Sequence, residues 1–223
     1  MSIDFSPKNS GIMFQPDMVH AYVKGGKNQT RRLKGLQVIN ESPNDWQLIF
    51  IPQHQGIRFV SFEHKETRQV IHLNMPYGGK GDTLYFKETY RMWSESEYGE
   101  GFIHYRADDA KVSPTWWTEE DWGKTHSGWF EKWNSSMFMP RRFSRFRHVP
   151  ILNVRVERLQ DITVADCVWE GVGEWMNKDA NVREWMQEQR RLYFNLWDSI
   201  NGKTLPASKN PYVWVYDFPP NEV

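Results

Sequence analysis

The residues with the clearest potential for chemistry lie in one short segment, GKNQTRR, at residues 26–32. Lys27 and Thr30 are three residues apart in this segment. A threonine hydroxyl is a weak nucleophile that needs a base, and a partly buried lysine with a lowered pKa can serve as that base. Such a pair also needs a carboxylate, which sequence spacing does not identify. The alternative is a solvated lysine beside an ordinary strand threonine.

A turn must precede this segment if the two side chains are to meet. Lys27 and Thr30 would project to opposite faces of a straight strand. Residues 16–24, PDMVHAYVK, have helical spacing after a proline, and Gly25 and Gly26 favour the end of that helix. We therefore predict a helix, a tight turn and a strand in this order.

The rest of the chain predicts mostly strands with a few helices. Short apolar or alternating runs between residues 46 and 73 predict an antiparallel meander. Thr163 as N-cap, Asp166 at the third helical position and Gly171 predict a short capped helix, and residues 180–199 predict a longer one. Further strands are predicted within 76–90 and at 101–108, 151–156 and 211–218. The predicted fold class is α+β, a small β-barrel or strongly bent sheet with flanking helices.

A tryptophan-rich segment at about residues 109–139 interrupts this pattern and is predicted to be an insertion or lid. The length of 223 residues favours one domain, and we predict a single domain over 1–223 that contains the insertion. Trp116 and Trp117 are candidates for stacking on a nucleobase. The alternative is that these tryptophans pack against one another.

The composition excludes several classes of function. The 28 basic and 28 acidic residues give a formal net charge of zero, so a broad electrostatic grip on nucleic acid is not supported. Anion binding would need local clusters, such as the one that contains Arg141 and Arg145. The seven histidines show no metal-binding spacing, so no metal or other cofactor is predicted. The single cysteine, Cys167, and the absence of a long apolar run predict a cytoplasmic protein without a membrane partner.

Seven motifs spread over residues 11–218 together resemble one known family. They are GKNQTRR, GDTLYFKET, YRAD, MPRRFSR, RVERLQDITVADCVWEG, LWDSINGK and NPYVWVYDF. The set is similar to the ASCH domain, a branch of the PUA-like superfamily, in the longer form common in bacteriophages and prophages. The resemblance implies a PUA-like β-barrel with flanking helices and a basic cleft lined by the helix-to-strand turn.

The resemblance also implies roles for individual residues. In this family a GxKxxTxR-type turn faces the cleft, and small bacterial members include amidohydrolases that remove the acyl group from N4-acetylcytidine. Their lysine, threonine and glutamate map onto Lys27, Thr30 and Glu170, and the arginine of the turn maps onto Arg32. The implied chemistry is acyl transfer, in which Lys27 takes a proton from Thr30. The predicted substrate-binding residues are Arg31, Arg32, Trp116, Trp117, Arg141 and Arg145.

Three functions stay open at this point. The first is an amidohydrolase acting on a modified nucleoside or base. The second is a non-catalytic module for single-stranded RNA or DNA, or a nucleotide, in which Lys27, Arg31 and Arg32 contact phosphate. The third is a phage protein that binds a host factor through the tryptophan-rich segment. Thr30 separates the first from the second, because only the enzyme needs its hydroxyl. The chain departs from the small enzymes in its size, its insertion and its motif spacing.

Overall fold

The computed structural model describes residues 6–52, 54–94, 101–113, 132–173 and 181–221. The described residues fall into two compact units. One is drawn from the ranges Met1–Ser10, Ala21–Thr83 and Val149–Val223, and the other from Gly11–His20 and Leu84–His148. Most of the predicted tryptophan-rich insertion, including Trp116 and Trp117, lies outside the described residues.

The fold class is α+β, as predicted, with mostly strands in several small sheets and few helices. Within the described ranges the strands do not close into a barrel. The strands are β1 (Asn9–Met13), β2 (Gln29–Arg32), β3 (Trp46–Phe50), β4 (Phe59–His64), β5 (Val70–Asn74), β6 (Thr83–Lys87), β7 (Tyr90–Ser94), β8 (Gly101–Tyr105), β9 (Lys111–Val112), β10 (Val149–Pro150), β11 (Asn153–Arg158) and β12 (Tyr212–Asp217). The α-helices are α1 (Pro16–Val23), α2 (Gln37–Glu41), α3 (Val164–Trp169) and α4 (Val182–Asn201), and single 3-10 turns cover Ser136–Phe138, Arg141–Phe143, Leu159–Asp161 and Ala207–Lys209.

An antiparallel sheet in the order β11, β12, β2 organises the first unit. Its central strand, β12, has four consecutive buried residues, which fits the prediction of a strand buried on both faces. Strand β2 lies at the edge of this sheet, with Thr30 opposite Tyr216 and Arg31 opposite Val215. Because side chains alternate along a strand, Gln29 and Arg31 share one face with Val215, and Thr30 lies on the other.

Helices α3 and α4 pack against the Val215 face of this sheet. The apolar cluster there consists of Leu159, Ile162, Cys167, Tyr193, Trp197, Ala207, Val213 and Val215. The predicted N-cap at Thr163 is confirmed, and it forms a capping box with Asp166: the Thr163 hydroxyl accepts from the Asp166 backbone N–H, while the Asp166 carboxylate accepts from the Thr163 N–H. The covered face therefore combines an apolar core with the charged residues of β2.

The first unit also contains the predicted antiparallel meander, formed by β3, β4 and β5. A glycine-rich turn, PYGGKGD at residues 76–82, follows the meander and is held by Asp82. The Asp82 carboxylate accepts from the backbone N–H groups of Lys8 and Gly79 and from the Arg58 guanidinium. The Gly79 N–H and the Arg58 guanidinium thus bind a carboxylate of the protein itself.

The second unit is built around an antiparallel sheet in the order β7, β8, β9. Its core consists of Tyr90, Met92, Ile103, Tyr105, Met139 and Phe143. Across the described residues of the whole chain, no helix has the length and apolar character required to cross a membrane.

Candidate active site

Lys27 lies in the predicted turn between α1 and β2. Helix α1 ends at Val23, and Gly25 follows in the left-handed conformation, with φ of 73°. The Lys27 side chain is 1% exposed, and its Nζ donates to the backbone carbonyls of Gln29 at 2.7 Å and Glu170 at 2.6 Å, and to Glu170 Oε2 at 3.1 Å. Three acceptors for three ammonium hydrogens hold Lys27 in its charged form in this arrangement.

The end of helix α3 brings Glu170 to Lys27. The Trp169 carbonyl accepts from the Asn28 N–H at 3.0 Å, and the next carbonyl, that of Glu170, accepts from Lys27. Carbonyls at the end of a helix lack intrahelical donors and carry partial negative charge, so an N–H group and a cation are suitable partners. The chain then reverses at Gly171, with φ of 80°. The structure therefore joins two residues that are 143 positions apart, Lys27 and Glu170.

Arg31 holds the other oxygen of the same carboxylate. Its Nη1 donates to Glu170 Oε1 at 3.1 Å and to Gln29 Oε1 at 2.6 Å. Its Nη2 lies 2.5 Å from Glu157 Oε1 and 3.3 Å from Asp166 Oδ2. The Arg31 side chain is 1% exposed, so its guanidinium is directed at the protein's own acceptors.

Thr30 is buried on β2, with 3% of its surface exposed, and it projects from the face opposite Arg31. Arg32 shares the Thr30 face by the same alternation. The Asn28 carbonyl accepts from the Phe218 N–H, so the carbonyl of the next residue, Gln29, turns away from β12 toward the open edge of the sheet. Lys27 binds that edge carbonyl, which places its ammonium group at the edge between the two faces of β2.

Burial and neighbouring charges set the protonation of these groups. Burial lowers the pKa of Lys27, Glu170 opposes this effect, and the nearby charges of Arg32 and Arg31 add to it. Burial also disfavours the charge of Arg31, but Glu170, Tyr193, Glu157 and Asp166 raise its pKa overall. Lys27 is therefore the cation of this pair that loses its proton more readily.

A second arginine extends this network along β11. Arg155 donates from Nε to Glu157 Oε2 at 2.9 Å, and its two Nη atoms lie 3.2 Å from Asp166 Oδ1 and 3.0 Å from Asp217 Oδ2. Gln29 Nε2 closes the network by donating to Asp217 Oδ1 at 2.7 Å. A continuous chain of hydrogen bonds thus runs from Asp217 through Gln29 and Arg31 to the Glu170 carboxylate.

A cleft of about 560 Å³ lies beside this network. Its wall includes Trp169, which is 38% exposed, and Leu152, which is 50% exposed. Its volume is in the range of clefts that take small ligands, about 300 to 1,000 Å³. Lys27, Thr30 and Glu170 are not among its lining residues, which are Asn28, Gln29, Leu152, Arg155, Thr163, Asp166, Trp169, Asp217 and Phe218.

The other predicted substrate-binding arginines lie in the second unit. Arg145 is bonded to Glu88 at 2.8 and 3.1 Å and to Asp108 at 2.7 and 2.9 Å, and its guanidinium lies 4.5 Å from the centre of the Tyr105 ring. Arg141 Nη2 lies 3.3 Å from His148 Nε2. The planar group of Arg145 is thus held between two carboxylates and an aromatic ring.

Sequence reasoning missed Glu157, Arg155 and Asp217 as members of the charged network. A signal was present in the strand NVRVER, where Val154 and Val156 are buried while Arg155 and Glu157 alternate with them. Alternation predicts that the charged pair shares one face of β11. The partner strands and their register are set by tertiary structure, so the contacts to β2 and α3 could not be inferred.

The described part of the chain contains no group of three or more His, Cys, Asp or Glu residues arranged to hold a metal ion. Comparisons with protein-family models, curated proteins and solved structures find no match to this chain.

Proposed function

We propose that this chain is an ASCH-type protein with a PUA-like fold that hydrolyses the amide of an acylated nucleobase, such as an N4-acylcytosine. Lys27, Thr30 and Glu170 form the proposed catalytic centre. The observation that carries the proposal is the buried contact of Lys27 with Glu170. Thr30, which is also buried, lies three residues after Lys27 in the same segment. The motif resemblance supplies the reaction, and the contact supports the predicted pairing of the lysine with that carboxylate.

The proposed reaction is acyl transfer through Thr30. Lys27, after losing one proton, takes the proton of the Thr30 hydroxyl, and the oxygen attacks the acyl carbonyl carbon. The carbon–nitrogen bond breaks, and the Lys27 ammonium returns a proton to the leaving amine. Water then hydrolyses the Thr30 ester to a free carboxylic acid. Arg32 or a backbone N–H would donate a hydrogen bond to the transient oxyanion and lower the activation free energy by about 3 kcal/mol.

We place the nucleoside in the cleft beside the network. Trp169 offers a half-exposed indole for stacking, and base–aromatic stacking contributes about 1 to 3 kcal/mol. The lining carries one cation, Arg155, and two carboxylates, Asp166 and Asp217, which suits an uncharged nucleoside better than a phosphate. Thr30 projects from the face of β2 opposite Gln29, so the acyl group must pass the open edge of this strand, where the Lys27 ammonium binds the Gln29 carbonyl, to reach the hydroxyl.

The charged contacts favour hydrolysis over a phosphate-binding module. Lys27 and Arg31 are buried and bonded to carboxylates of the protein. A phosphate would have to displace these carboxylates and repel them at the same time. The amidohydrolase keeps Arg31 on Glu170 and gives up only one of the three Lys27 hydrogen bonds when Lys27 loses its proton. We place this activity in the cytoplasm on the evidence of the single cysteine.

The test is the release of cytidine and acetate from N4-acetylcytidine, followed by chromatography. We expect turnover by the wild type, no turnover by Lys27→Met, Thr30→Val or Glu170→Gln, and partial turnover by Thr30→Ser, which keeps a hydroxyl. Thr67→Val, at an exposed position, and Glu188→Gln, whose side chain is 45% exposed, make the same chemical changes and should leave turnover unchanged.

Two outcomes would contradict the proposal. One is turnover that persists in Thr30→Val, which would show that the Thr30 hydroxyl is not the nucleophile. The other is a wild type that does not hydrolyse the substrate but does bind a nucleotide or single-stranded oligonucleotide. In that case the added ligand would raise the melting temperatures of wild type and Thr30→Val by the same amount. That result would assign the turn to recognition.

A further inference from the structure

The Glu170 carboxylate is divided between two cations. Lys27 Nζ lies 3.1 Å from Oε2, and Arg31 Nη1 lies 3.1 Å from Oε1. A carboxylate held at both oxygens has a fixed orientation, and its negative charge is shared. The attraction between Glu170 and the Lys27 ammonium is therefore weaker than in an isolated pair.

Arg31 is itself held from three elements. Gln29 lies on the same strand, Glu157 lies on β11, and Asp166 lies on α3. The guanidinium is planar and rigid, so acceptors in three directions fix its position better than they would fix an ammonium group. Because the side chain is also 1% exposed, Arg31 acts on the site through Glu170 and not by touching a ligand in the cleft.

We propose that Arg31 is a positioning residue, which orients Glu170 and weakens its hold on the Lys27 proton so that Lys27 can act as a base toward Thr30. This inference rests on the proposed amidohydrolase function. It replaces the sequence-based expectation of a substrate contact for Arg31 with a role inside the protein.

The direction of the effect follows from the groups around Lys27 and Arg31. Without Arg31, the full charge of Glu170 faces Lys27 and a nearby positive charge is lost, so the pKa of Lys27 rises. The base must be neutral, and activity is lost as pH falls through its pKa. Removal of Arg31 should therefore move the acid limb of the pH–rate profile to higher pH. The groups that face the pair are Glu170, Arg31 and Arg32 around Lys27, and Glu157, Asp166, Glu170, Cys167 and Tyr193 around Arg31.

The kinetic test compares the pH profiles of kcat/KM for wild type, Arg31→Gln and Arg31→Lys. We expect the acid limb of Arg31→Gln to shift upward by about one pH unit or more, since a nearby charge changes a pKa by about that amount. Arg31→Lys keeps the charge but not the planar fork, and should shift less. An unshifted limb together with a raised KM would overturn the proposal and indicate a substrate contact.

Glu157→Gln provides a test in the opposite direction. Without Glu157, Arg31 interacts more strongly with Glu170 and a negative charge is lost, so the pKa of Lys27 falls and the acid limb moves to lower pH. This variant keeps Arg31 and the shape of the side chain that it replaces. Shifts of the same sign in Arg31→Gln and Glu157→Gln would contradict the proposal. Arg191→Gln, at an exposed position on α4, is the control for an unshifted profile.

A spectroscopic readout separates this inference from the proposed function. Lysine labelled with ¹³C at Cε reports the Lys27 titration by NMR, with Lys27→Met identifying the resonance. If N4-acetylcytidine is not hydrolysed but the titration moves up in Arg31→Gln and down in Glu157→Gln, the function fails and the control of Lys27 by Arg31 stands. If hydrolysis occurs and the titration does not move, the role of Arg31 fails.

Discussion

Gly171 packs so closely on Lys27 that a side chain at this position would contact it directly. A Cβ built on Gly171 would lie 3.2 Å from the Lys27 Cβ and 2.8 Å from that of Ala21. The φ of 80° at Gly171 is also one that other residues adopt at a cost. Two independent requirements for glycine therefore coincide where helix α3 meets the Lys27 turn.

Gly171→Ala should lower the free energy of unfolding by about 1 to 3 kcal/mol, because it adds backbone strain and a steric contact with Ala21. Urea unfolding followed by fluorescence measures this loss. Gly26→Ala is the matched control, since its Cβ would meet only the Ala21 carbonyl at 3.5 Å, an ordinary contact. Equal stability of the two variants would contradict the close fit at Gly171.

The N-terminus of α3 carries the cap that positions Asp166 for Arg31. Thr163→Ala removes the hydroxyl that accepts from the Asp166 N–H and should cost about 1 kcal/mol of unfolding free energy. Thr163→Ser keeps the oxygen and should retain most of the stability. A Thr163→Ala variant as stable as wild type would show that the capping box contributes nothing to the unit.

A partly buried arginine that is paired with a buried glutamate in the second unit predicts a pH-dependent stability. Arg145 forms ion pairs with both Glu88, whose side chain is 1% exposed, and Asp108. Removing one partner of a buried pair costs about 3 to 5 kcal/mol, so Arg145→Ala should be strongly destabilising at neutral pH. The matched change Arg191→Ala, at an exposed ion pair, should have no measurable effect.

The sign of the pH effect follows from Glu88. Burial raises its pKa, and Arg145 opposes that rise. Its folded state therefore binds a proton more tightly than the unfolded chain, and stability declines as pH rises above the ordinary pKa of a glutamate, about 4.3. The decline should be steeper in Arg145→Ala than in wild type. Urea unfolding between about pH 5 and pH 8 measures the two slopes, and parallel slopes would contradict the role of Glu88.

Local sequence signals predicted much of the fold because their causes are local. The capping residues Thr163 and Asp166, the glycine after α1 and the alternation in β12 act over a few positions, and the structure contains each element. The partner strands of β12 and the neighbours of Arg31 depend on contacts between distant segments. Composition and spacing carry little information about such contacts.

The pairing of Lys27 with Glu170 shows the same limit within the candidate site. Spacing indicated a lysine and a threonine that needed a carboxylate, and only the resemblance to a family pointed to Glu170. Nothing in the local sequence indicated that Arg31 would occupy the other oxygen of that carboxylate. Its neighbour Arg32 has the same chemistry, and only the alternation of β2 separates their surroundings.

The cleft makes a final prediction about ligand affinity. If a nucleoside stacks on Trp169, Trp169→Ala should weaken the binding of N4-acetylcytidine by about 1 to 3 kcal/mol, a loss of roughly 5- to 150-fold. Titration calorimetry with the Thr30→Val variant, which is expected not to turn over the ligand, measures this change directly. Trp133→Ala is a matched control, because Trp133 has the same exposed fraction of 38% but belongs to the second unit. A loss of affinity in Trp133→Ala with none in Trp169→Ala would contradict the placement of the nucleoside in the cleft. The stacking energy would then come from Trp133, which does not line the cleft.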